Sequence, residues 1–408
     1  MKIRDVIKGI PPGQLVIQYT DRCNARCPQC GMRVTADFPR SKLGLDEAKK
    51  IIDAAARHGV ESLSFTGGEP LLYLDDIVEL LAYADKAGIK YTRTGTNGFM
   101  FMGHEKPDFR DKVARFAERI AETSLYTFWI SIDSVEPSVH ENMRGLPGVI
   151  RGIEKAIPVM EHYGIYPSAN LGINRNMGGV YGTAGGGTVD PYDYFREGFE
   201  RFYRFVIDMG FTITNCCYPM SMDKESEHLN AVYQATSAGD IVCFTNAERV
   251  SIFRALFDVI PLFRSSIRIF SPRSSLYALI GQYTEGCSSC FPCRGGTEFF
   301  FIDARDGNTY PCGYRGHENL GKFWKMDFDA IDHRAHCRRC DWECFRDPSE
   351  LFGPIADIMT RPLRMVRRAI SDREYLRLWL NDLRYYRACH LFNGRRPPDY
   401  EKMARQLT

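Results

Sequence analysis

The 408-residue sequence has almost no net charge: 53 Lys and Arg stand against 51 Asp and Glu, leaving +2. A chain so balanced exerts no bulk electrostatic pull on nucleic acid, so no nucleic-acid partner is expected and any charged partner must be met by a local patch. Long apolar runs are missing too. No window approaches the roughly 18 apolar residues of a transmembrane helix. Met1 to Lys8 are mixed polar, and Pro11-Pro12-Gly13 follows before a signal-peptide core could develop. A cytoplasmic, reducing location is therefore expected, where the 14 cysteines read as metal ligands rather than disulfides.

What stands out is Cys23-Asn24-Ala25-Arg26-Cys27-Pro28-Gln29-Cys30, directly after the apolar run Leu15 to Thr20. Three thiols this close must face one common point. Iron–sulfur clusters are held by cysteine thiolates, usually four, so a compact set of three leaves one iron free for another ligand. Structural zinc wants four closed ligands, commonly with a His. No His lies between Cys23 and Cys30, and His58 and His104 are far off in sequence, so the spacing favours iron over zinc.

Beyond this stretch the apolar periodicity alternates. Leu45, Ala48, Ile51, Ile52 and Ala55 share one helical face, and Gly59 follows as a cap. Strand-like segments at 62–66, 89–94, 128–133, 165–173 and 211–217 alternate with helical ones at 75–87, 108–122, 148–163 and 192–209, with Gly88, Gly164 and Gly210 as returns. With the strand before Cys23 this predicts an α/β fold, a partial (β/α)6 TIM-like barrel over residues 12–220. A linking helical region at 221–285, a cysteine-rich module at 286–350 and a basic helical tail at 351–408 complete the expected organisation. In such a barrel chemistry sits at the carboxyl ends of the strands, where the cysteine loop, Gly67-Gly68-Glu69, Asn97-Gly98, Ser131, Asp133, Cys216 and Cys217 all fall.

Cys23-x3-Cys27-x2-Cys30 after the first strand, Gly67-Gly68-Glu69-Pro70 after the second and Ser131-x-Asp133 on the fourth together resemble the radical S-adenosylmethionine (radical SAM) superfamily, over roughly residues 12–220. The resemblance implies that Cys23, Cys27 and Cys30 hold a [4Fe–4S] cluster whose fourth iron is chelated by S-adenosylmethionine. It implies reductive cleavage to a 5′-deoxyadenosyl radical, with an external electron donor such as flavodoxin or ferredoxin. Gly67, Gly68 and Glu69 would offer backbone groups to the methionyl ammonium; the other reading is an ordinary strand-to-helix turn. Asn97, Ser131 and Asp133 would lie near the cofactor, and Asn170 and Asn174 would serve the ribose or substrate, or be solvated strand residues. The position before the third cysteine, commonly aromatic in the family, is Gln29 here. His140 and Arg144 share a helical face, and Arg144 would bind a carboxylate or lie on the surface.

Gly178 to Gly187 is glycine-rich but lacks the Lys and Ser/Thr of a phosphate loop, and reads as a loop near the active face. Cys216 and Cys217 read either as buried small hydrophobes or as a hydrogen donor facing the radical. Farther on, Cys287, Cys290, Cys293, Cys312, Cys337, Cys340 and Cys344 put seven thiols into 58 residues. Phe299 to Cys312 reads as a hairpin turning at Asp306-Gly307. Cys293-x13-Gly307-x4-Cys312 resembles the SPASM or shorter twitch extension that carries auxiliary [4Fe–4S] clusters, although only Cys337-x2-Cys340-x3-Cys344 of the later pattern is present.

Seven thiols leave three arrangements: one cluster with spare thiols, two with an open iron, or two with Cys389 or Cys243 as an eighth ligand. A zinc ribbon is the competing reading. The Arg-rich tail from Pro354 reads as a helix packed on the barrel, a membrane-surface contact or an anionic-substrate arm. Auxiliary clusters make oxidation the leading reaction class, with redox-neutral epimerisation the alternative if a cysteine returns hydrogen. Only some 14 residues precede the first strand, so a small metabolite, sugar or lipid-linked substrate is expected ahead of a leader-bearing peptide. A non-catalytic metalloprotein is the rival class.

Overall fold

The computed structural model describes residues 12–30, 40–179, 190–219, 241–285 and 291–406. The cysteines at 287 and 290 and most of the glycine-rich stretch, from position 180 to 187, lie outside them. The six expected strands are β1 (Gly13–Thr20), β2 (Val60–Gly67), β3 (Tyr91–Thr96), β4 (Leu125–Ser131), β5 (Ser168–Gly172) and β6 (Ile213–Cys217). They pair in chain order, all parallel. The connecting helices are α1 (Leu45–Arg57), α2 (Leu74–Lys86), α3 (Phe109–Ala121), α4 (Pro137–Arg144), α5 (Val149–His162) and α6 (Pro191–Asp208). Gly59, Gly88, Gly164 and Gly210 all take positive φ at the helix exits, the left-handed turn that glycine adopts without a Cβ penalty.

Alternation along the strands divides the barrel into two environments. Leu15, Ile17, Leu63, Phe65, Phe128, Ile130 and Leu171 join the fully buried core beneath the helices, with Ile51, Leu80, Phe116, Ile153 and Phe202. The intervening positions Ser64, Thr66, Arg93, Ser131, Asn170 and Asn215 line the barrel interior. The interior is therefore a cavity into which polar side chains project, and the core is the outer layer.

The sheet is larger than six strands. After α7 (Asn246–Phe263) a two-residue β7 (Arg268–Ile269) pairs with β6, and α8 (Arg273–Glu285) follows. At the other edge β8 (Phe299–Ile302) pairs parallel with β1, and β9 (Thr309–Tyr310) returns antiparallel to it. The order is β7-β6-β5-β4-β3-β2-β1-β8-β9. The expected hairpin is thus present, but its first strand is part of the barrel sheet. The cause is visible in Phe299-Phe300-Phe301-Ile302, apolar at every position as a strand buried on both faces must be. Phe300 and Ile302 enter the main core, while Phe299 and Phe301 enter a second one with Cys293, Cys312 and Trp342.

The chain ends in α9 (Glu343–Thr360), α10 (Pro362–Ser371), α11 (Arg373–Ala388) and the short α12 (Tyr400–Ala404). The start of α9 bridges β1 and β6, which do not pair with one another: Gln14 Nε2 donates to Cys344 O at 2.9 Å, and Glu343 hydrogen-bonds Cys217. The segment after α11 is tied to the barrel by Gly394 N to Tyr126 O and Tyr166 N to Gly394 O, at 2.8 and 2.7 Å. No helix among the described residues is long and apolar enough to cross a membrane.

Candidate active site

Cys23, Cys27 and Cys30 occupy the loop leaving β1, and the exits of β2, β3 and β4 hold that loop in place. Gly68 N donates to Thr20 O at 2.7 Å, Glu69 N to Arg22 O at 2.8 Å and Arg26 N to Arg144 O at 3.0 Å. A Cβ on Gly67 would stand 2.1 Å from Thr20 O, and one on Gly68 2.2 Å from Arg22 O. The two glycines are required because the cysteine loop's own backbone lies against them. Their role in this structure is to let the loop close, with the N–H groups of Gly68 and Glu69 engaged by it; an ammonium ligand, being a donor, could meet only carbonyls here.

Glu69 is buried, and its carboxyl accepts from Leu71 N at 3.1 Å and Asn97 N at 2.7 Å, bracing the exit of β2 to that of β3. Burial pushes its pKa up to about 7 against the pull of these donors. Asn97 in turn donates from Nδ2 to Asn24 Oδ1 at 2.9 Å and reaches Cys23 Sγ at 3.8 Å.

Asp133 is the second anchor. One carboxylate oxygen receives Arg144 Nε at 2.9 Å, Arg144 Nη2 at 2.7 Å and Gln29 Nε2 at 2.5 Å. Its backbone N donates to His140 Nδ1 at 3.0 Å and its carbonyl accepts from Asn174 Nδ2 at 2.8 Å. Arg144 is buried, so the surface reading fails; Asp133 raises its pKa against the opposing effect of burial. His140 is neutral, because burial and the neighbouring guanidinium hold its pKa well below the usual imidazole value. Asn174 is spent on the carbonyls of Asp133 and Gly172 and does not reach the cavity.

Glu69, Asn97, Asp133, Arg144 and Gln29 line one cavity of about 350 Å³ that runs from Cys23, Cys27 and Cys30, past Ser131 and Trp129, to Arg93, Trp342, Glu343 and Cys344. The residues fit a cluster and a bound nucleoside-type ligand. Cys23 Sγ accepts from Ala25 N at 3.4 Å, a donor that favours thiolate, and Gln29 Oε1 is a buried acceptor with no partner. Burial pushes the free Cys27 thiol up to about 12, so iron binding must displace its proton.

Residues 17–167 match the radical SAM superfamily. The chain thus carries a radical SAM domain over those residues. The chain is similar to the AdoMet-dependent heme synthase of Methanosarcina barkeri (strain Fusaro / DSM 804), 29% identical over 347 residues, 84% of this chain and 87% of the relative. It is also similar to the GTP 3′,8-cyclase of Vibrio parahaemolyticus, 31% identical over 151 residues, 36% of this chain and 42% of the relative. Against that cyclase, and against the heme synthase of Oleidesulfovibrio alaskensis at 26% identity, the match covers less than half of either relative. The solved structure of native anSMEcpe with bound AdoMet superimposes with a TM-score of 0.51 at 16% identity, over 78% of this chain and 80% of that one, which shows the shared fold. A [4Fe–4S] cluster and S-adenosylmethionine are the cofactors this superfamily implies.

The two strand-end cysteines separate. Neighbours in a strand face opposite sides: Cys216 is fully buried in the outer core, 3.8 Å from Tyr203 Oη, and does not line the cavity. Cys217 lines the cavity, with Asn170 Nδ2 at 3.2 Å and Asn170 Oδ1 at 3.4 Å from its sulfur.

In the extension, Cys293, Cys312, Cys337 and Cys340 gather. Cys293 N donates to Cys337 O at 2.7 Å, and the four thiols act electrostatically on one another. Cys293 and Cys312 accept from Gly295 N and Tyr314 N, each at 3.4 Å, and Cys340 from Trp342 N, the i+2 pattern already seen at Cys23. No three His, Cys, Asp or Glu among the described residues are placed to hold a single metal ion; a four-iron cluster takes each thiolate on a separate iron.

Cys344, expected with this group, turns instead to the barrel cavity beside Glu343 and Arg93. Cys389 packs with Tyr385, Phe392 and Met403, apart from the other thiols among the described residues, and Cys243 is exposed. Arg93, Trp342 and Glu343 were not foreseen. A signal existed for Arg93, a cation at an inward position of a buried parallel strand, where charge is rare. Nothing local marked Glu343.

Proposed function

We propose that this chain uses S-adenosylmethionine at Cys23, Cys27 and Cys30 to oxidise a small substrate seated in the barrel cavity. When bound, the cluster with S-adenosylmethionine supplies a 5′-deoxyadenosyl radical for hydrogen abstraction, and a cluster on Cys293, Cys312, Cys337 and Cys340 supplies an acceptor for the substrate's electron. The observation that carries the reading is that one cavity joins the Cys23–Cys30 loop to Trp342, Glu343 and Cys344, two to four residues after Cys340. Asp133, Arg144 and Gln29 hold the wall beside the loop. Glu343, which burial pushes up to about 7, is able to accept the proton that leaves the substrate near neutral pH.

The cavity's size supports a small molecule over a long peptide, and the relative named heme synthase makes a porphyrin-type compound one candidate. An external carrier such as flavodoxin or ferredoxin would deliver the reducing electron. A second reading rests on Cys217. Its sulfur is on the cavity, so it is placed to return a hydrogen atom in a redox-neutral epimerisation. Solvent deuterium incorporated into product, and lost in Cys217→Ala, would favour that reading.

The test is anaerobic reconstitution with iron and sulfide, then reduction with S-adenosylmethionine. 5′-Deoxyadenosine should form and should vanish in Cys23→Ala, Cys27→Ala and Cys30→Ala. Tight zinc binding with no cleavage under any reductant would overturn the proposal in favour of a non-catalytic metalloprotein.

A further inference from the structure

Arg93 is placed for a ligand that the cofactor chemistry does not use. It lies four residues before Asn97 on β3, hence about 13 Å deeper along the strand than the Asn97–Cys23 contact. Its side chain is on the cavity wall, and Nε is fully buried with no hydrogen-bond partner. No ion pair to Arg93 exists among the described residues. The strand register sets Ser64 of β2 and Thr127 of β4 on either side, and both also line the cavity. Thr127 Oγ1 already donates to Phe392 O at 3.2 Å, so Ser64 is the hydroxyl left to serve a ligand. Glu343 is near, yet its carboxyl hydrogen-bonds the thiols of Cys217 and Cys344 instead of the guanidinium.

A guanidinium with a buried N–H left unpartnered is costly unless something completes it. We propose that Arg93, with Ser64, forms a subsite for one oxyanion of the substrate, a carboxylate or a phosphate, at the deep end of the cavity. Arginine's planar fork suits either group. The proposal rests on the cavity being the substrate site.

The test uses the reconstituted protein at fixed chloride concentration, with sodium propionate and inorganic phosphate as probes. Thermal unfolding of the wild type should shift upward by about 2–4 °C with one of them, which identifies the oxyanion. Arg93→Met should unfold at a higher temperature than wild type in anion-free buffer and respond to neither probe, while Arg93→Lys keeps a weakened response. Equal shifts in wild type and Arg93→Met, or no shift in wild type, overturn the subsite. Wild-type 5′-deoxyadenosine release is scored separately, so failure of the radical reading and failure of the subsite are told apart.

A different observation points to a surface partner. On α10, Leu363, Val366 and Ile370 form a stripe at i, i+3 and i+7 and are 83%, 57% and 69% exposed. The opposite side of the helix is the packed one: Met365 is buried, and the Arg368 guanidinium lies over the Tyr375 and Phe291 rings at 3.9 and 4.3 Å. Ile355, Ile358 and Met359 on α9, which packs against α10, are exposed as well. Single exposed apolar residues are ordinary, but six on two adjoining helices are not.

Arg361, Arg364 and Arg367 flank the stripe, all exposed; Arg364 also meets Asp357 at 3.4 Å. Aliphatic side chains edged by arginine match the boundary of an anionic bilayer. We infer that this face of α10 docks on an anionic lipid surface. Co-sedimentation with phosphatidylcholine vesicles containing phosphatidylglycerol should capture the wild type, release it in high salt, and capture the Leu363→Ala/Val366→Ala/Ile370→Ala variant at least roughly tenfold less. Absence of capture, unchanged capture of the triple variant with an unchanged circular dichroism spectrum, or a lipid-free dimer that the triple variant abolishes would overturn it.

Discussion

Gly68→Ala is the sharpest probe of how the cysteine loop is held. The new Cβ would stand 2.2 Å from Arg22 O and 2.9 Å from Asp21 O, both backbone atoms that no side-chain rotation can move. The loop would have to withdraw by about 1 Å, and packing strain of this kind typically costs about 1–3 kcal/mol. The hydrogen bonds Gly68 N to Thr20 O and Glu69 N to Arg22 O span the same contact, and weakening both adds about 1–2 kcal/mol. The loss falls on a loop that must place three sulfurs within about 0.5 Å of a working geometry. Gly68→Ala is therefore expected to lose roughly one four-iron cluster per chain and its 5′-deoxyadenosine formation, while the auxiliary iron stays. Iron and sulfide counts with single-turnover cleavage check this. Full iron content with wild-type cleavage would refute the argument that loop closure requires the glycine.

Cys340→Ala is expected to lower iron content by one cluster and Cys344→Ala to leave it unchanged, measured on the same reconstituted preparations. Cys216→Ala should cost about 1–2 kcal/mol in urea unfolding and spare product formation, since it removes only core packing, whereas Cys217→Ala should alter the product or its deuterium content at little cost in stability. Glu69 has a folded pKa of about 7, above the usual carboxyl value of 4.5, so the folded chain keeps a proton that the unfolded chain releases. Its contribution to stability is full below about pH 4.5 and is lost as pH rises through 7, by up to about 3 kcal/mol. Glu69→Gln should flatten that slope in denaturant titrations between pH 5.5 and 8, while being less stable throughout because one backbone N–H loses its acceptor. Arg144→Met should destabilise by about 3–5 kcal/mol, because Asp133 is left buried and unpaired.

The alternating strands and helices up to Cys217 were legible because each carries its own periodicity and a glycine return. The Cys23 to Cys30 loop was legible because its meaning lies in local spacing. Pairing between distant segments has no local signature, so neither β7 beside β6 nor β8 beside β1 was foreseen, although Phe299 to Ile302 showed the all-apolar run of a strand buried on both faces. The opposite orientations of Cys216 and Cys217 follow from the strand period alone and were available from the start. Cys344 lies only four residues from Cys340, yet it begins a helix directed at the barrel, and spacing could not separate it from the four thiols that gather. Arg144 was ambiguous for a related reason: its partner Asp133 is eleven residues away, across the exit of β4.

The pairing of Gln14 with Phe299 also sets a schedule for synthesis. One edge of β1 is covered by β2 soon after the strand emerges, but the other waits about 285 residues for β8. At ribosomal rates of 5–20 residues per second that is roughly 15–60 s with an apolar strand edge open to other chains. A nascent chain stalled before residue 299 should therefore recruit chaperones or aggregate, and a truncation ending at α8 should not yield a well-behaved barrel. The extension thus has a second importance, as the last piece that makes the first strand safe.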